Sequence, residues 1–434
     1  MRRAGTQLGR CLRLAALPAA ECSPAAAAAA GAAAAPCAGA WAAGPAWRRV
    51  VSCSSGAAQA EAAPKPAAKD AAAAQPQSAT AAAPQSEDRK GPFGLVRDEI
   101  DCVTERLRRD IFTEIPALER AAEYFFQAGA EGKRLRSTML LLMSSALAPA
   151  PPGIEFLTVD SSPPAEHPPS VRRRQQRIAE ITELIHVASL LHDDVIDSAG
   201  TRRGKKSLNA VFGNKVAILA GDFLLARASV SLSALRNPEA IMLMSQSLEH
   251  LVAGEILQLT ADAEEAASLD HYMRKTYCKT ASLMANSCKS VAVLGGHSPT
   301  DCHLASEYGR HVGLAFQLVD DIMDFTSSAD EMGKPAVNDL RSGLATAPTL
   351  YAAEEFPELL PLIQRRFKEE GDVEAAEEMV RRSRGLERAG ELAAFHAADA
   401  AMCVESLSPA ATAHAKEHRA ALIDITHKVL NRKK

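Results

Sequence analysis

Six acids in two matching groups dominate the chemistry open to this chain. His192-Asp193-Asp194-Val195-Ile196-Asp197 and Asp320-Asp321-Ile322-Met323-Asp324 each place carboxylates at i, i+1 and i+4. At 3.6 residues per turn, the first and last acid of each group share a helix face. Carboxylates crowded at the end of an apolar helix repel one another unless a cation joins them. Their oxygen donors suit Mg2+, a hard ion commonly held by one or two carboxylates together with substrate phosphates. Acids at this spacing more often form a solvated helix face. Here the preceding runs, Ile181 to Leu191 and Val312 to Val319, are apolar nearly all round, as in buried helices, and the pattern occurs twice.

A diphosphate bound through metal needs further positive charge, and basic residues cluster near the acids. Lys133, Arg134 and Arg136 open an apolar run, Arg202-Arg203-Gly204 follows the first acid group, Lys279-Thr280 lies in a long helical segment, and Lys334 follows the second group. Arg grips phosphate oxygens with a planar fork, and Lys supplies a point charge. Any one of them alone reads as a surface cation. His186, within the apolar run before Asp193, reads alone as an ordinary core histidine. Only the combination favours a phosphate site.

Periodic apolar patterning begins near Gly91 and predicts helices at Arg97 to Leu107, Ala117 to Ala128, Arg136 to Leu147, Gln175 to Ile196, Lys215 to Leu235, Ile241 to Leu259, Leu269 to Leu294 and Cys302 to Phe325, with several more to Lys428. Seven prolines between Ala148 and Ser170 predict an irregular insertion over 148–174. Strand-like alternation is nearly absent. Residues 91–434 therefore read as one all-α domain, large enough to gather helices round a central cavity.

Residues 1–90 differ in kind, being rich in Ala, Pro and Ser, with ten basic and five acidic residues; the remainder carries a formal net charge of −9. An acidic body argues against a nucleic-acid partner, which needs a basic face. The Arg-rich, acid-poor start predicts an organellar transit peptide and linker; a secretory signal is interrupted by Arg13 and Pro18. The sequence predicts no membrane span. The nine cysteines show no CxxC spacing, and the five after residue 90 read as free thiols.

Taken in order, GKRLRS, ELIHVASLLHDDVIDSAGTRRG, GNKVAILAGDFLLARA, EHLVAGEILQL, YMRKTYCKTASLMANSC, GLAFQLVDDIMDFT and GKPAVNDLRSGLATAP resemble the trans-isoprenyl (polyprenyl) diphosphate synthases, from about Val96 to the C-terminus. The tail is most similar to the mitochondrial-type solanesyl synthases of plants and algae. The resemblance implies an isoprenoid-synthase-type helical bundle around a central cavity. It also implies Mg2+-dependent condensation of isopentenyl diphosphate onto an allylic diphosphate, farnesyl or geranylgeranyl, giving products of eight to ten isoprene units. Asp193, Asp194, Asp197, Asp320, Asp321 and Asp324 would hold the metal. Arg202, Lys279, Thr280, Gln317 and Lys334 would contact the allylic diphosphate, and Lys133, Arg136, His186 and Arg203 the isopentenyl diphosphate. Asp193, Asp197, Asp320, Lys279 and Arg202 would carry catalysis, and Ala188 and Ser189, before Asp193, would set chain length. A homodimer is expected in the mitochondrion, with the plastid second, as is a peripheral membrane contact for product release. The chain departs from the family pattern at Glu131, where a second Gly is common, Ser137, where Pro is common, and Leu344, where short-chain members carry Lys.

Overall fold

The computed structural model describes residues 91–111, 113–126, 134–147, 170–202, 204–326 and 337–432, all in one unit, Pro84–Lys434. Among the described residues the regular structure is helical apart from one β-ribbon of two two-residue strands. The principal helices are α1 (Arg97–Asp110), α2 (Pro116–Phe126), α3 (Leu135–Leu147), α4 (Val171–Ile196), α5 (Asn214–Ala234), α6 (Pro238–Thr260), α7 (Leu269–Thr276), α8 (Ser282–Leu294), α9 (Pro299–Thr326), α10 (Ala347–Glu355), α11 (Asp372–Arg382), α12 (Gly385–Glu405) and α13 (Ala413–Leu430).

α8 lies at the centre. It packs against α3, α4, α6 and α9, so it is the wall shared by both acid-bearing helices. Ten consecutive residues of α3 and eleven of the thirteen in α8 are buried, which is why these helices read as apolar all round rather than amphipathic. Some polar groups inside the bundle pair across helices: the Thr182 and Ser287 hydroxyls meet at 2.8 Å between α4 and α8, and Asn286 donates to the Leu243 carbonyl at 3.0 Å. A second apolar cluster, around Phe325, Leu340, Tyr351 and Val380, supports the C-terminal end of α9.

Two departures from expectation lie in segments that carry candidate site residues. The proline-rich insertion does not reach 174, because α4 starts at Val171. The Ser170 hydroxyl caps it by accepting from the Arg173 amide, and Arg172 and Arg173 are tied to Glu99 and Glu180. The Leu269–Leu294 helix is interrupted by a π turn, Tyr277–Ala281, between α7 and α8. Its start is capped by Ser268, with Asp270 inside the first turn.

α5 has the length and apolar composition of a membrane span, yet one side packs along α4 and it carries Asp222 and Arg227. The five described cysteines are free; Cys278, Cys288 and Cys302 are buried, and Cys102 and Cys403 are partly exposed.

Candidate active site

Both acid groups occupy helix C-termini. Asp193 and Asp194 lie in the last turn of α4 with Asp197 as its C-cap, and Asp320, Asp321 and Asp324 lie in the last two turns of α9. This end is the negative pole of the helix dipole and disfavours carboxylates. Burial and the nearby Glu255 and Asp197 carboxylates push Asp193 up to about 6, against the opposing pull of Lys279 and Arg202. Burial likewise raises Asp197. Oxygen donors held against both a dipole and their neighbours fit a hard divalent cation.

The six aspartates are not equivalent. Asp194 is buried and receives the Arg202 guanidinium at both oxygens, at 2.8 and 2.9 Å from Nε. Asp321 is buried, accepting from the Tyr272 hydroxyl at 2.5 Å and from Gln317 Nε2 at 2.8 Å. Asp324, also buried, accepts the backbone amides of Asn338 and Asp339, tying down the turn that follows the 327–336 stretch. Asp193, Asp197 and Asp320 retain greater exposure. Asp320 is paired at 2.6 Å with Arg432, whose guanidinium stacks on Phe316.

Arg202 is aimed by the ribbon Thr201–Arg202 (β1) and Lys205–Lys206 (β2), a tight antiparallel pair turned at Gly204, where φ is +75°. Asn209 holds its base by donating to the Asp194 and Ala199 carbonyls. The π turn presents Lys279 and Thr280; such single-turn bulges frequently mark functional sites. Lys279 pairs with Glu255 of α6 and reaches Gln258 Oε1 at 3.3 Å. This approach depends on Gly254, since a Cβ there would sit 2.7 Å from the Lys279 side chain and 3.0 Å from its backbone nitrogen. Thr280 donates to Gln317 Oε1 at 3.0 Å, joining the π turn to α9.

Arg136 and His186, 50 residues apart, meet at 3.1 Å. Ser137, the position where the family pattern favours Pro, is buried and donates to Glu183 at 2.7 Å. Ala188 is fully enclosed, whereas Ser189 is partly exposed with its hydroxyl turned back to the His186 carbonyl at 2.9 Å. Lys133, Arg203 and Lys334, like Glu131, lie outside the described residues. Sequence reasoning missed Glu255, Gln258, Tyr272 and Arg432. Glu255 and Gln258 share a face by their i, i+3 spacing, and Tyr272 stands two turns before Lys279. Arg432 carries no local signal.

The sequence matches the polyprenyl synthetase family over residues 115–380. The chain belongs to that family. It is 50% identical over 353 residues to "Solanesyl-diphosphate synthase 1, mitochondrial" of Oryza sativa subsp. japonica, covering 81% of this chain and 80% of the relative. It is 49% identical over 348 residues to "Solanesyl diphosphate synthase 3, chloroplastic/mitochondrial" of Arabidopsis thaliana, covering 80% and 82%. Among solved structures, the apo form of an Arabidopsis medium/long-chain length prenyl pyrophosphate synthase superposes with a TM-score of 0.61 at 43% identity, covering 79% of this chain and all of that one. A Caulobacter crescentus polyprenyl synthase complexed with calcium and isoprenyl diphosphate gives 0.66 at 28%, covering 80% and 99%. The chain is thus a prenyltransferase of the long-chain all-trans polyprenyl diphosphate synthase type.

Proposed function

We propose that this synthase builds a solanesyl-type chain of eight to ten isoprene units for a quinone side chain, using Mg2+, isopentenyl diphosphate and a farnesyl or geranylgeranyl starter. The observation that carries this reading is the pair of acid-ended helices on the common wall of α8, with Lys279 at the π turn beside the first group. Asp193, Asp197 and Asp320 are the direct metal ligands in this reading, while Asp194, Asp321 and Asp324 are held by protein donors and orient their neighbours. Bound Mg2+ supplies charge neutralisation for a departing diphosphate.

The rest of the mechanism belongs to the chain's own residues. Arg202 and Lys279 add positive charge beside the first acid group, where developing anionic charge on the leaving group is stabilised without reorganisation. Arg136 and His186, already in contact, offer hydrogen bonds to a second diphosphate, that of isopentenyl diphosphate. Holding its double bond near the allylic carbon makes bond formation effectively intramolecular. The double bond attacks as the C–O bond breaks, leaving a tertiary cation that loses a proton from its neighbouring CH2 to form the new double bond, with released diphosphate as the base. The apolar walls of α4 and α9 keep out water that would trap the cation.

The mitochondrion is the proposed compartment, with ubiquinone as the end use and the plastid as the second reading. The Arg-rich start and the organelle names of the two plant relatives support it. We assign the assembly as a homodimer. Ile218, Leu219, Val230, Met242, Val252 and Ile256 expose an apolar face along α5 and α6 that a second copy would cover. Purified protein incubated with Mg2+, labelled isopentenyl diphosphate and each starter should release products of 40 to 50 carbons. Products that stop at 25 carbons or fewer with every starter would overturn the long-chain reading.

A further inference from the structure

Tyr272 lies two helical turns before Lys279, fully inside the second apolar cluster at 3% exposure, and no role follows for it from the acid groups. Its hydroxyl donates to Asp321 Oδ2 at 2.5 Å. Asp321 Oδ1 accepts from Gln317 Nε2 at 2.8 Å, and Gln317 Oε1 accepts from Thr280 at 3.0 Å. An ionised carboxylate can only accept, so Gln317 must turn its NH2 toward Asp321. Its carbonyl oxygen is thereby left on the other side, against Thr280 and the π turn. The Lys275 ammonium lies over the face of the Tyr272 ring, 5.3 Å from its centroid, and helps to hold the ring in place.

We infer that Tyr272 is a positioning residue: by holding Asp321 it fixes the amide of Gln317 with its oxygen, rather than its NH2, toward the reacting allylic group. This rests on the proposed prenyl transfer and deepens it. An amide oxygen is the end that suits an allylic carbon gaining positive charge as its diphosphate leaves, and fixed dipoles are worth most where water is excluded. A free Gln amide has two orientations of similar cost; the Tyr272–Asp321 pair leaves one.

Tyr272→Phe keeps the ring and removes the hydroxyl. Loss of such supporting contacts commonly costs about 10- to 100-fold in activity, and here that loss is expected in kcat, with KM for isopentenyl diphosphate unchanged. Calorimetric binding of inorganic pyrophosphate with Mg2+ should stay within about twofold, because this contact does not bind phosphate. In a Gln317→Met background, where no amide remains to orient, adding Tyr272→Phe should cost no further kcat. A Tyr272→Phe enzyme with wild-type kcat, an equal loss in both backgrounds, or a pyrophosphate affinity that falls in step with kcat overturns the inference. Absence of condensation by the wild-type protein refutes the proposed function and the inference together. Wild-type condensation beside an unaffected Tyr272→Phe enzyme refutes the inference alone.

Discussion

Arg432 donates to Asp320 at 2.6 Å across 112 residues of sequence, so a cation just past the last helix sits on the most exposed acid of the second group. Stacking on Phe316, which lies one turn before Asp320, fixes its approach. With Asp320 as a metal ligand, as proposed, a divalent metal and Arg432 compete for the same carboxylate. A partly exposed pair of this kind is worth at most about 1 kcal/mol. Arg432→Gln should therefore tighten Mg2+ binding by about two- to fivefold, read by calorimetry in the presence of pyrophosphate. Unchanged or weaker metal binding would refute the competition.

Asp193 supplies a pH test. Its carboxyl is pushed up to about 6 by burial and by like charge, and only its ionised form binds a cation. Metal affinity should fall as pH drops below about 6, and Asp193→Asn should flatten that limb. The same substitution should lower turnover by about a thousandfold or more, on the order of 4 kcal/mol of barrier, without lowering the melting temperature, because it relieves repulsion. A steep acid limb that survives in Asp193→Asn would assign the titration elsewhere.

Gly254 is constrained by contact rather than by backbone angle. Adding a methyl group gains about 1 kcal/mol in helix propensity but pushes against Lys279, where overpacking costs about 1–3 kcal/mol. Gly254→Ala should lower the melting temperature and raise KM for the allylic diphosphate through a displaced Lys279. A more stable enzyme with unchanged KM would show that the π turn yields freely.

Chain length should respond to the residues below Asp193. Ala188→Phe should shorten the products while starter turnover is largely kept; unchanged length with lost stability would mean that Ala188 serves helix packing alone. Since Ala188 is fully enclosed and Ser189 is not, Ser189→Phe should shorten products with the smaller fall in melting temperature.

His396 predicts the acid stability of the fold. It meets His311 at 2.9 Å between α9 and α12, with Arg310, Glu307 and Asp399 around the pair, and burial, His311 and Arg310 push it down to about 3. The native state stays neutral where an unfolded chain takes up a proton, so stability declines as pH falls from about 6.5 toward 3, by at most about 1.4 kcal/mol per pH unit. His396→Gln should flatten this decline in denaturation midpoints measured from pH 7 to 4.

Much of this was legible because the relevant signals are local. The i, i+1, i+4 acids and the apolar runs before them identify α4 and α9 from composition alone. Tyr277–Ala281 was not legible as a π turn, because YCKTA contains no helix breaker; packing against α6 and α9 accompanies the bulge instead. The start of α4 at Val171 was obscured by three arginines that look like solvated charge but reach partners on α1, on α4 itself and at Leu235. Nor could spacing reveal that the middle acids, Asp194 and Asp321, are already occupied by Arg202 and Tyr272.

The position of α8 carries one more consequence. Because α4 and α9 both rest on it, the spacing of the two acid-bearing helices is set by a close-packed helix and not by loops. On α9, Gly309 and Gly313 bring the backbone against Met284 and Ala281 with no room for a side chain. A rigid spacing of that kind acts as a caliper. Core substitutions at these contacts, far from any carboxylate, would therefore shift one acid group against the other.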